Sequence, residues 1–391
     1  MVKLETVRAG NTALVNSQAL VAVITAGTTG IGEYAMRALC DAAASAQGER
    51  SGGQGLRVYI VGRSQQKADV LFEDLKKKCR SAELHFVQAK DLALLSCVDG
   101  VCAEIIRLEE AAGSAANGPP RVDILIMGQG PVLFLPRNGM SISSTSCRKP
   151  VMRPSLSVTT LTSTPSHTLE TTEGLDTFMS LIFYSRARTI TRLLPLLLRS
   201  TLPTGAHILS IYGAGLGRAN VHFDDLSLRK PENYSLFSLQ NHVALLTTVY
   251  FERMAELHKG KMSFVHWYPG LVKGPAFANA QLPWWFKVLW PIVGPILFAL
   301  GGTSPQEAGM RALCCVGERF PAKGTGNGKV QRTIATNGVT GGGSYALGAS
   351  NDVVVNEKFY QMKGKDETMK LVWEHIEEVM KAADEGRRFE D

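Results

Sequence analysis

The chain has 391 residues and is 45% hydrophobic, so it can bury a large core as one α/β domain or two small ones, and we favour one. Its formal net charge is +7, but four of these charges lie in the acid-free stretch 137–153, which argues against a nucleic-acid partner. Seven cysteines, odd in number and without metal-ligand spacing, predict free thiols in a reducing compartment and no metal site. No leader peptide is recognisable, so we expect a cytoplasmic protein, or one at the cytosolic face of an internal membrane.

Short apolar runs without alternation predict buried strands, and most are followed by an amphipathic helical pattern. The predicted strands are Leu20–Thr25, Leu56–Val61, Glu83–Gln88, Val122–Met127, His207–Tyr212 and Ser263–Tyr268. The predicted helices are Glu33–Ala43, Lys67–Cys79, Val98–Leu108, Phe178–Leu198 and Val243–Leu257. This order predicts a single α/β domain over residues 1–391, with a doubly wound parallel sheet covered by helices on both faces.

Residues 136–169 interrupt the pattern. This segment is rich in Ser, Thr and Pro, has no acidic residue and lacks helical or strand periodicity, so we predict an exposed, disordered insertion. A sharper hypothesis is that it is a retained intron, because Gly139-Met140-Ser141 can be encoded by a run that contains a common splice-donor sequence.

A second interruption spans residues 275–305. Its centre, Trp284–Leu300, is apolar apart from Lys287, and Pro291 and Pro295 break it. We interpret the segment as a lid over an apolar pocket. An interfacial membrane helix is the first alternative and a transmembrane helix the second.

A glycine-rich turn, Thr25-Ala26-Gly27-Thr28-Thr29-Gly30-Ile31-Gly32, connects the first strand to the first helix. Glycines at such a turn let the backbone approach a pyrophosphate, whose charge meets the free amides of the helix N-terminus. The turn therefore predicts a dinucleotide site formed by Thr25, Gly27, Thr28, Thr29, Gly30, Ile31 and Gly32. The alternative is an ordinary flexible turn.

Arg63 follows the second predicted strand, where an enzyme selective for NAD usually has an acidic residue. An arginine can pair with a 2′-phosphate instead. Arg63 therefore predicts NADP (NADPH) in preference to NAD, unless it is only a solvated residue at a strand end.

These features resemble the short-chain dehydrogenase/reductase superfamily, and more closely an atypical group of fungal members often found beside natural-product pathways. The resemblance rests on the glycine-rich turn, Asp91, Met127-Gly128-Gln129-Gly130 in place of the family's NNAG, and residues 269–274, PGLVKG, in place of PGxVxT. It implies a Rossmann-type fold and further cofactor contacts from Asp91, Gly128, Pro269, Gly270 and Val272. Ala26 replaces the family's first glycine, with Gly27 beside it to preserve the turn, and Gly274 replaces a threonine that helps to fix the nicotinamide.

The chain departs from the family at each catalytic position. The resemblance places Ile182 at the asparagine position and Tyr212 or Gly213 at the serine position. Gln240 and Ala244 fall where the family has its tyrosine and lysine, the lysine lowering the pKa of the tyrosine. Neither glutamine nor alanine can relay a proton.

Two tyrosines are candidates for a substitute acid, Tyr234 and Tyr212. The alternative for both is loop contact or packing at a strand end. His242 is expected to be a helix histidine with its hydrogen bonds satisfied, and residues 266–268 to line the pocket rather than react.

The resemblance implies an NADP-binding oxidoreductase that acts on a small hydrophobic intermediate of secondary metabolism. The alternative is a non-redox enzyme, such as an isomerase or cyclase, or a binding protein on the same scaffold, because the tyrosine and lysine are replaced. Contact with a membrane interface through Trp284–Leu300 and a homodimer are further expectations, the dimer by resemblance only.

Overall fold

Seven strands form one parallel sheet in the computed structural model of the chain. The structure describes residues 2–47, 55–113, 118–130, 170–214, 221–275, 301–325, 333–354 and 360–391, with 289–291, 293–295 and 298. The strands are β1 (Leu20–Thr25), β2 (Leu56–Gly62), β3 (Ala82–Gln88), β4 (Ile124–Met127), β5 (Ala206–Ile211), β6 (Met262–Trp267) and β7 (Ser344–Leu347). Their order across the sheet is β3-β2-β1-β4-β5-β6-β7, and every neighbouring pair is parallel.

Helices cover both faces of this sheet. They are α1 (Leu4–Ser17), α2 (Gly30–Gln47), α3 (Gln65–Lys78), α4 (Leu95–Gly113), α5 (Thr177–Met179), α6 (Ser185–Leu197), α7 (Leu236–Leu257), α8 (Pro305–Cys314) and α9 (Lys365–Asp384). Apolar side chains of α4, α5, α6, α7 and α9 form one core cluster with the sheet, and those of α1, α2, α3 and α8 form the other. The prediction of a doubly wound α/β fold in a single domain is confirmed.

All six predicted strands are present, with ends within two residues of the predicted ones. The sequence reading missed β7, a strand of only four residues that follows the turn at Gly341–Gly343. It also missed α1, α8 and α9, which pack outside the repeating strand-and-helix units from which the prediction was made.

The helix predicted over Phe178–Leu198 is interrupted by a π-helical turn, Ser180–Tyr184, between α5 and α6. There the backbone N–H of Ser185 donates to the carbonyl of Ser180, five residues earlier. The carbonyl of Leu181 instead accepts from Ser185 Oγ at 3.3 Å and from Arg186 Nε at 3.4 Å. One extra residue in a turn rotates all later side chains by about 100° around the helix axis, and such turns occur frequently at functional sites.

An ionic cluster fixes α6 between α4 and α9. Arg188 lies on α6 and is 1% exposed; its Nε and Nη2 donate to the two carboxylate oxygens of Asp99 at 2.7 and 2.6 Å. Asp384 of α9 lies 2.8 Å from the same guanidinium, and Arg192 binds both carboxylates. Charge-assisted, bidentate pairs are among the stronger hydrogen bonds in proteins, so this cluster sets the position of α6.

Two predicted segments lie largely outside the described residues. The insertion predicted at 136–169 is wholly outside them, and so is most of the segment 275–305. Between 289 and 298, the rings of Trp290 and Phe298 are in edge-to-face contact, with centroids 6.0 Å apart. Of the helices that the structure describes, none has the length and apolar character needed to cross a bilayer.

Candidate active site

Four strands bring one row of side chains together at their carboxyl ends. Thr25 of β1 is in register with Met127 of β4, which is in register with Ser210 of β5, and His266 of β6 completes the row. All four are at least 96% buried. The chain leaves β3 at one edge and returns to β4 beside β1, so the row starts where the strand order reverses. Ligands of open α/β sheets bind at that point.

The glycine-rich turn lies above the end of β1. Ala26 adopts φ +53° and Gly30 adopts φ +64°, both in the left-handed region. From the sequence we expected Gly27 to preserve the turn, but it is not among the residues with positive φ. It is needed because a Cβ there would lie 2.9 Å from Ile60, and its N–H donates to the carbonyl of Val61 at 3.2 Å.

The first turn of α2 packs directly on this turn. A Cβ at Gly32 would lie 2.6 Å from the carbonyl oxygen of Ala26, whereas one at Gly30 would meet nothing within 4 Å. Gly128 donates its N–H to the carbonyl of Thr25 at 3.2 Å. Thr29 is exposed, and Ile31 packs against the core cluster beneath α2. The result is open space at the N-terminus of α2, which fits a pyrophosphate.

Two charged side chains lie beside the turn at the ends of β2 and β3. Arg63 is exposed, and within the described residues its guanidinium has no hydrogen bond or ion pair. Thr28 lies against Gly62, because a Cβ added to Gly62 would be 2.9 Å from the methyl group of Thr28. Asp91 is exposed and accepts from the N–H of Ala93 at 2.9 Å through Oδ1. These positions fit the sugar and adenine end of a dinucleotide bound at α2.

The PGLVKG segment continues from β6 beside α2. Pro269 is partly buried; Gly270 has φ +72°, and a Cβ there would lie 2.9 Å from Ala349. Val272 forms an isolated parallel bridge with Thr303. A Cβ at Gly274 would lie 2.7 Å from the hydroxyl of Tyr34, so the space of the family's threonine side chain is filled by a tyrosine of α2.

The structure separates the two tyrosine candidates. Tyr212 directly follows β5, two residues after Ser210, and its ring packs edge-to-face on Phe178, with centroids 5.6 Å apart. Burial raises the pKa of Tyr212, while Gln240 and Arg186 lower it. Tyr234 donates its hydroxyl to Asp176 at 2.9 Å, and Asp176 caps α5. The role of either tyrosine as an acid stays a prediction, but it is Tyr212 that neighbours the row.

The remaining family positions are filled by non-reacting groups. Ile182 lies on the π turn against Gly130, where a Cβ would approach its terminal methyl to 2.4 Å. Ala244 is buried in the core cluster. The structure therefore offers no proton relay from these two predicted positions.

Two histidines of this region are held neutral by burial. His242 has both ring nitrogens occupied, by the carbonyl of Leu226 at 3.1 Å and the N–H of His222 at 3.0 Å, and burial lowers its pKa to about 4. It is the satisfied helix histidine that we expected. Burial, and secondarily the charge of Arg186, lowers the pKa of His266 to about 3.

The sequence reading missed Arg186. It lies one turn beyond Ile182, is 3% exposed, and donates from Nη1 to Ser210 Oγ at 2.6 Å and from Nη2 to the carbonyl of Gln129. A signal was present in the sequence: Arg186 interrupts an apolar stripe that continues with Ile190, Leu193 and Leu197. A charged residue on a buried stripe is seldom found without a hydrogen-bonding or charged partner.

Curated proteins similar to this chain are fungal oxidoreductases. The short-chain dehydrogenase/reductase SAT2 of Stachybotrys chartarum is 33% identical over 385 residues, covering 96% of each chain. This chain belongs to the short-chain dehydrogenase/reductase family. Oxidoreductase AN1596 of Emericella nidulans is 28% identical over 397 residues, covering 98% of this chain and 99% of its own length. The oxidoreductase notO of an Aspergillus species is 26% identical over 394 residues, covering 99% and 98%.

Solved structures that are similar to this chain include complexes with NADP or NADPH. The L-sorbose reductase of Gluconobacter frateurii, complexed with NADPH and L-sorbose, is 17% identical with a TM-score of 0.47, covering 78% of this chain and 92% of its own. The RhlG/NADP complex of Pseudomonas aeruginosa is 20% identical with a TM-score of 0.46, covering 78% and 91%. No family model matches the sequence.

Proposed function

We propose that the protein is an NADP(H)-dependent oxidoreductase that acts on a small hydrophobic intermediate of secondary metabolism. The observation that carries the proposal is the glycine-rich turn, which leaves open space at the N-terminus of α2 beside the point where the strand order reverses. Relationship to SAT2 over nearly the whole chain supports the reaction class. The apolar segment 275–305 supports a hydrophobic substrate.

The unpaired Arg63 supports the choice of NADP. Its guanidinium is exposed, without a hydrogen-bonding partner in the described part of the chain, and follows β2 beside Thr28 of the turn. A 2′-phosphate there would accept charge-assisted hydrogen bonds, each contributing about 1.5–3 kcal/mol. NAD carries a hydroxyl in place of this 2′-phosphate and cannot form these contacts.

The experiment is a fluorescence titration of the purified protein with NADPH and NADH. The wild type should bind NADPH more tightly by roughly 10-fold or more, and Arg63→Asp should abolish the preference by weakening NADPH alone. Arg80→Asp is the matched control, because Arg80 is also exposed but follows α3 at the opposite end of β3. Equal affinity of the wild type for the two nucleotides would refute the assignment.

A second candidate is favoured by the catalytic positions themselves. Gln240 carries an uncharged amide and Ala244 is buried, so α7 provides neither a phenol nor a lysine at these two positions. An isomerase, a cyclase or a binding protein on the same scaffold would need neither. Full activity of the native protein with no nicotinamide nucleotide present would select this candidate over the first.

A further inference from the structure

Arg186 differs from the other buried arginines in lacking a carboxylate. Arg57 lies 3.1 Å from Glu109, Arg121 lies 3.1 Å from Asp123, and Arg188 lies 2.6 Å from Asp99. In the described part of the chain, Arg186 has only neutral partners: Ser210 Oγ and the carbonyls of Gln129 and Leu181. A buried charge without a counter-ion is strongly destabilising, so its presence calls for a compensating role.

The position of Arg186 indicates what that role is. Burial lowers its pKa to about 9, so it remains cationic at neutral pH. Tyr212 raises the pKa of Arg186, because an ionised Tyr212 would supply the missing negative charge. Tyr212 is partly exposed, whereas Arg186 is 3% exposed and donates to Ser210 of β5, two residues before Tyr212.

We propose that Tyr212 is the proton donor of the reaction and that Arg186 is its positioning residue, supplying from α6 the positive charge that a lysine on α7 supplies elsewhere in the family. Gln240 on α7 also lowers the pKa of this phenol. The inference rests on the proposed reduction of a carbonyl substrate.

The chemical step balances with these groups. The carbonyl carbon accepts a hydride, with its electron pair, from a reduced nicotinamide nucleotide, and the π electrons of the C=O bond move to oxygen. That oxygen takes the proton of Tyr212 Oη, giving the alcohol and a phenolate, while the nucleotide is released oxidised. Arg186 stabilises the phenolate until water returns a proton to it.

No other charge around Tyr212 in the described residues performs this task. Phe178 packs edge-to-face on the Tyr212 ring, with centroids 5.6 Å apart, and Gln240 is uncharged. His266 on the adjacent strand is neutral above pH 3 or so, as its lowered pKa requires. The positive charge of Arg186 lowers the pKa of Tyr212.

The pair can be tested without cofactor or substrate. Difluorotyrosine incorporated at position 212 ionises at lower pH than tyrosine and can be titrated by its absorbance. Arg186→Gln keeps hydrogen-bond donors but removes the charge, and should raise the pKa of the analogue by about 1 or more. Arg186→Lys should restore it towards the wild-type value. The control is Arg192→Gln, six residues along the same helix and 40% exposed, which should leave the pKa unchanged because Arg188 still holds Asp99 and Asp384.

A second arm measures turnover of an apolar ketone with NADPH. Tyr212→Phe should lower kcat by about 100-fold or more with little change in NADPH affinity. Tyr250→Phe is the matched control with little effect, because the hydroxyl of Tyr250 contacts only Thr191 and the carbonyl of Ala187 within the described residues. An unchanged pKa in Arg186→Gln, or wild-type kcat in Tyr212→Phe, overturns the inference. Failure of the wild type to bind NADPH overturns the proposed function instead, and the titration separates these cases because it needs no nucleotide.

Discussion

Replacing Gly32 with alanine should damage the glycine-rich turn specifically. The added Cβ would lie 2.6 Å from the carbonyl oxygen of Ala26 and 3.1 Å from the Cα of Gly27. Carbon and oxygen atoms need about 3.4 Å, so the turn and α2 must separate by roughly 0.8 Å. The opposing atoms are backbone, and no side chain can rotate to relieve the contact. Overpacking of this kind costs about 1–3 kcal/mol of folding free energy.

Gly32→Ala should weaken NADPH binding more than a substitution elsewhere in the fold that lowers stability by the same amount. A displacement of about 0.8 Å takes amide donors of the turn and of the α2 N-terminus outside hydrogen-bonding distance of a pyrophosphate. Losing one charge-assisted hydrogen bond removes about 1.5–3 kcal/mol, or roughly 10-fold to 150-fold in NADPH affinity. Fluorescence titration measures the affinity, and urea unfolding measures the stability.

Two other glycines provide the controls. Gly100 lies within α4 with nothing within 4 Å of a Cβ, so Gly100→Ala should stabilise the fold by about 0.5–1 kcal/mol and leave NADPH affinity unchanged. Gly386→Ala, just after α9, has the same open space but φ +62°, so it should cost about 1–2 kcal/mol through strain alone. Wild-type NADPH affinity together with an unchanged urea midpoint in Gly32→Ala would refute the reasoning.

The structure supports two further predictions about stability. Asp99→Asn removes the bidentate partner of the buried Arg188 and should lower the free energy of unfolding in urea by about 2–3 kcal/mol. This is less than the ~3–5 kcal/mol usual for breaking a buried ion pair, because Asp384 remains beside Arg188. Recovery of stability in the double variant Asp99→Asn/Arg188→Met would confirm the cause, and no loss of stability in Asp99→Asn would contradict it. Burial lowers the pKa of His207 to about 4, below its unfolded value of about 6.5, so the unfolded chain binds the proton first and stability falls as pH decreases from about 6.5 to 4. His207 should contribute about 2 kcal/mol of that fall between pH 7 and 5. The measurement is the free energy of urea unfolding at several pH values, which should depend less steeply on pH in His207→Leu than in the wild type. The same pH dependence in both proteins would exclude the assignment.

Local patterns were sufficient to predict the part of the fold that repeats. β1 is confirmed at Leu20–Thr25 because a buried parallel strand is apolar on both faces and ends where the glycines begin. The turn to α2 follows from the same short segment. β7 could not be predicted in this way, because Ser344–Leu347 is too short to show a period and pairs with β6 across about 80 residues of chain.

The candidate site was predicted less completely because its charges come from elements distant in sequence. Asp91, Arg63 and the turn could be found, since each directly follows a strand in the parallel sheet. Arg186 could not, since its direction depends on the π turn at Ser180–Tyr184, and no residue pattern within that turn distinguishes it from an ordinary helix. The sequence placed an arginine on an apolar stripe but did not indicate what it contacts.

Ala26 illustrates a limit of comparing residues with a family motif one position at a time. By motif, the loss of the first glycine should be repaired by Gly27, the neighbouring glycine. In the structure Ala26 itself takes the left-handed conformation, and Gly27 is confined by Ile60 instead. Gln240 is a second example: although it cannot relay a proton, it lowers the pKa of Tyr212, a phenol at the end of β5.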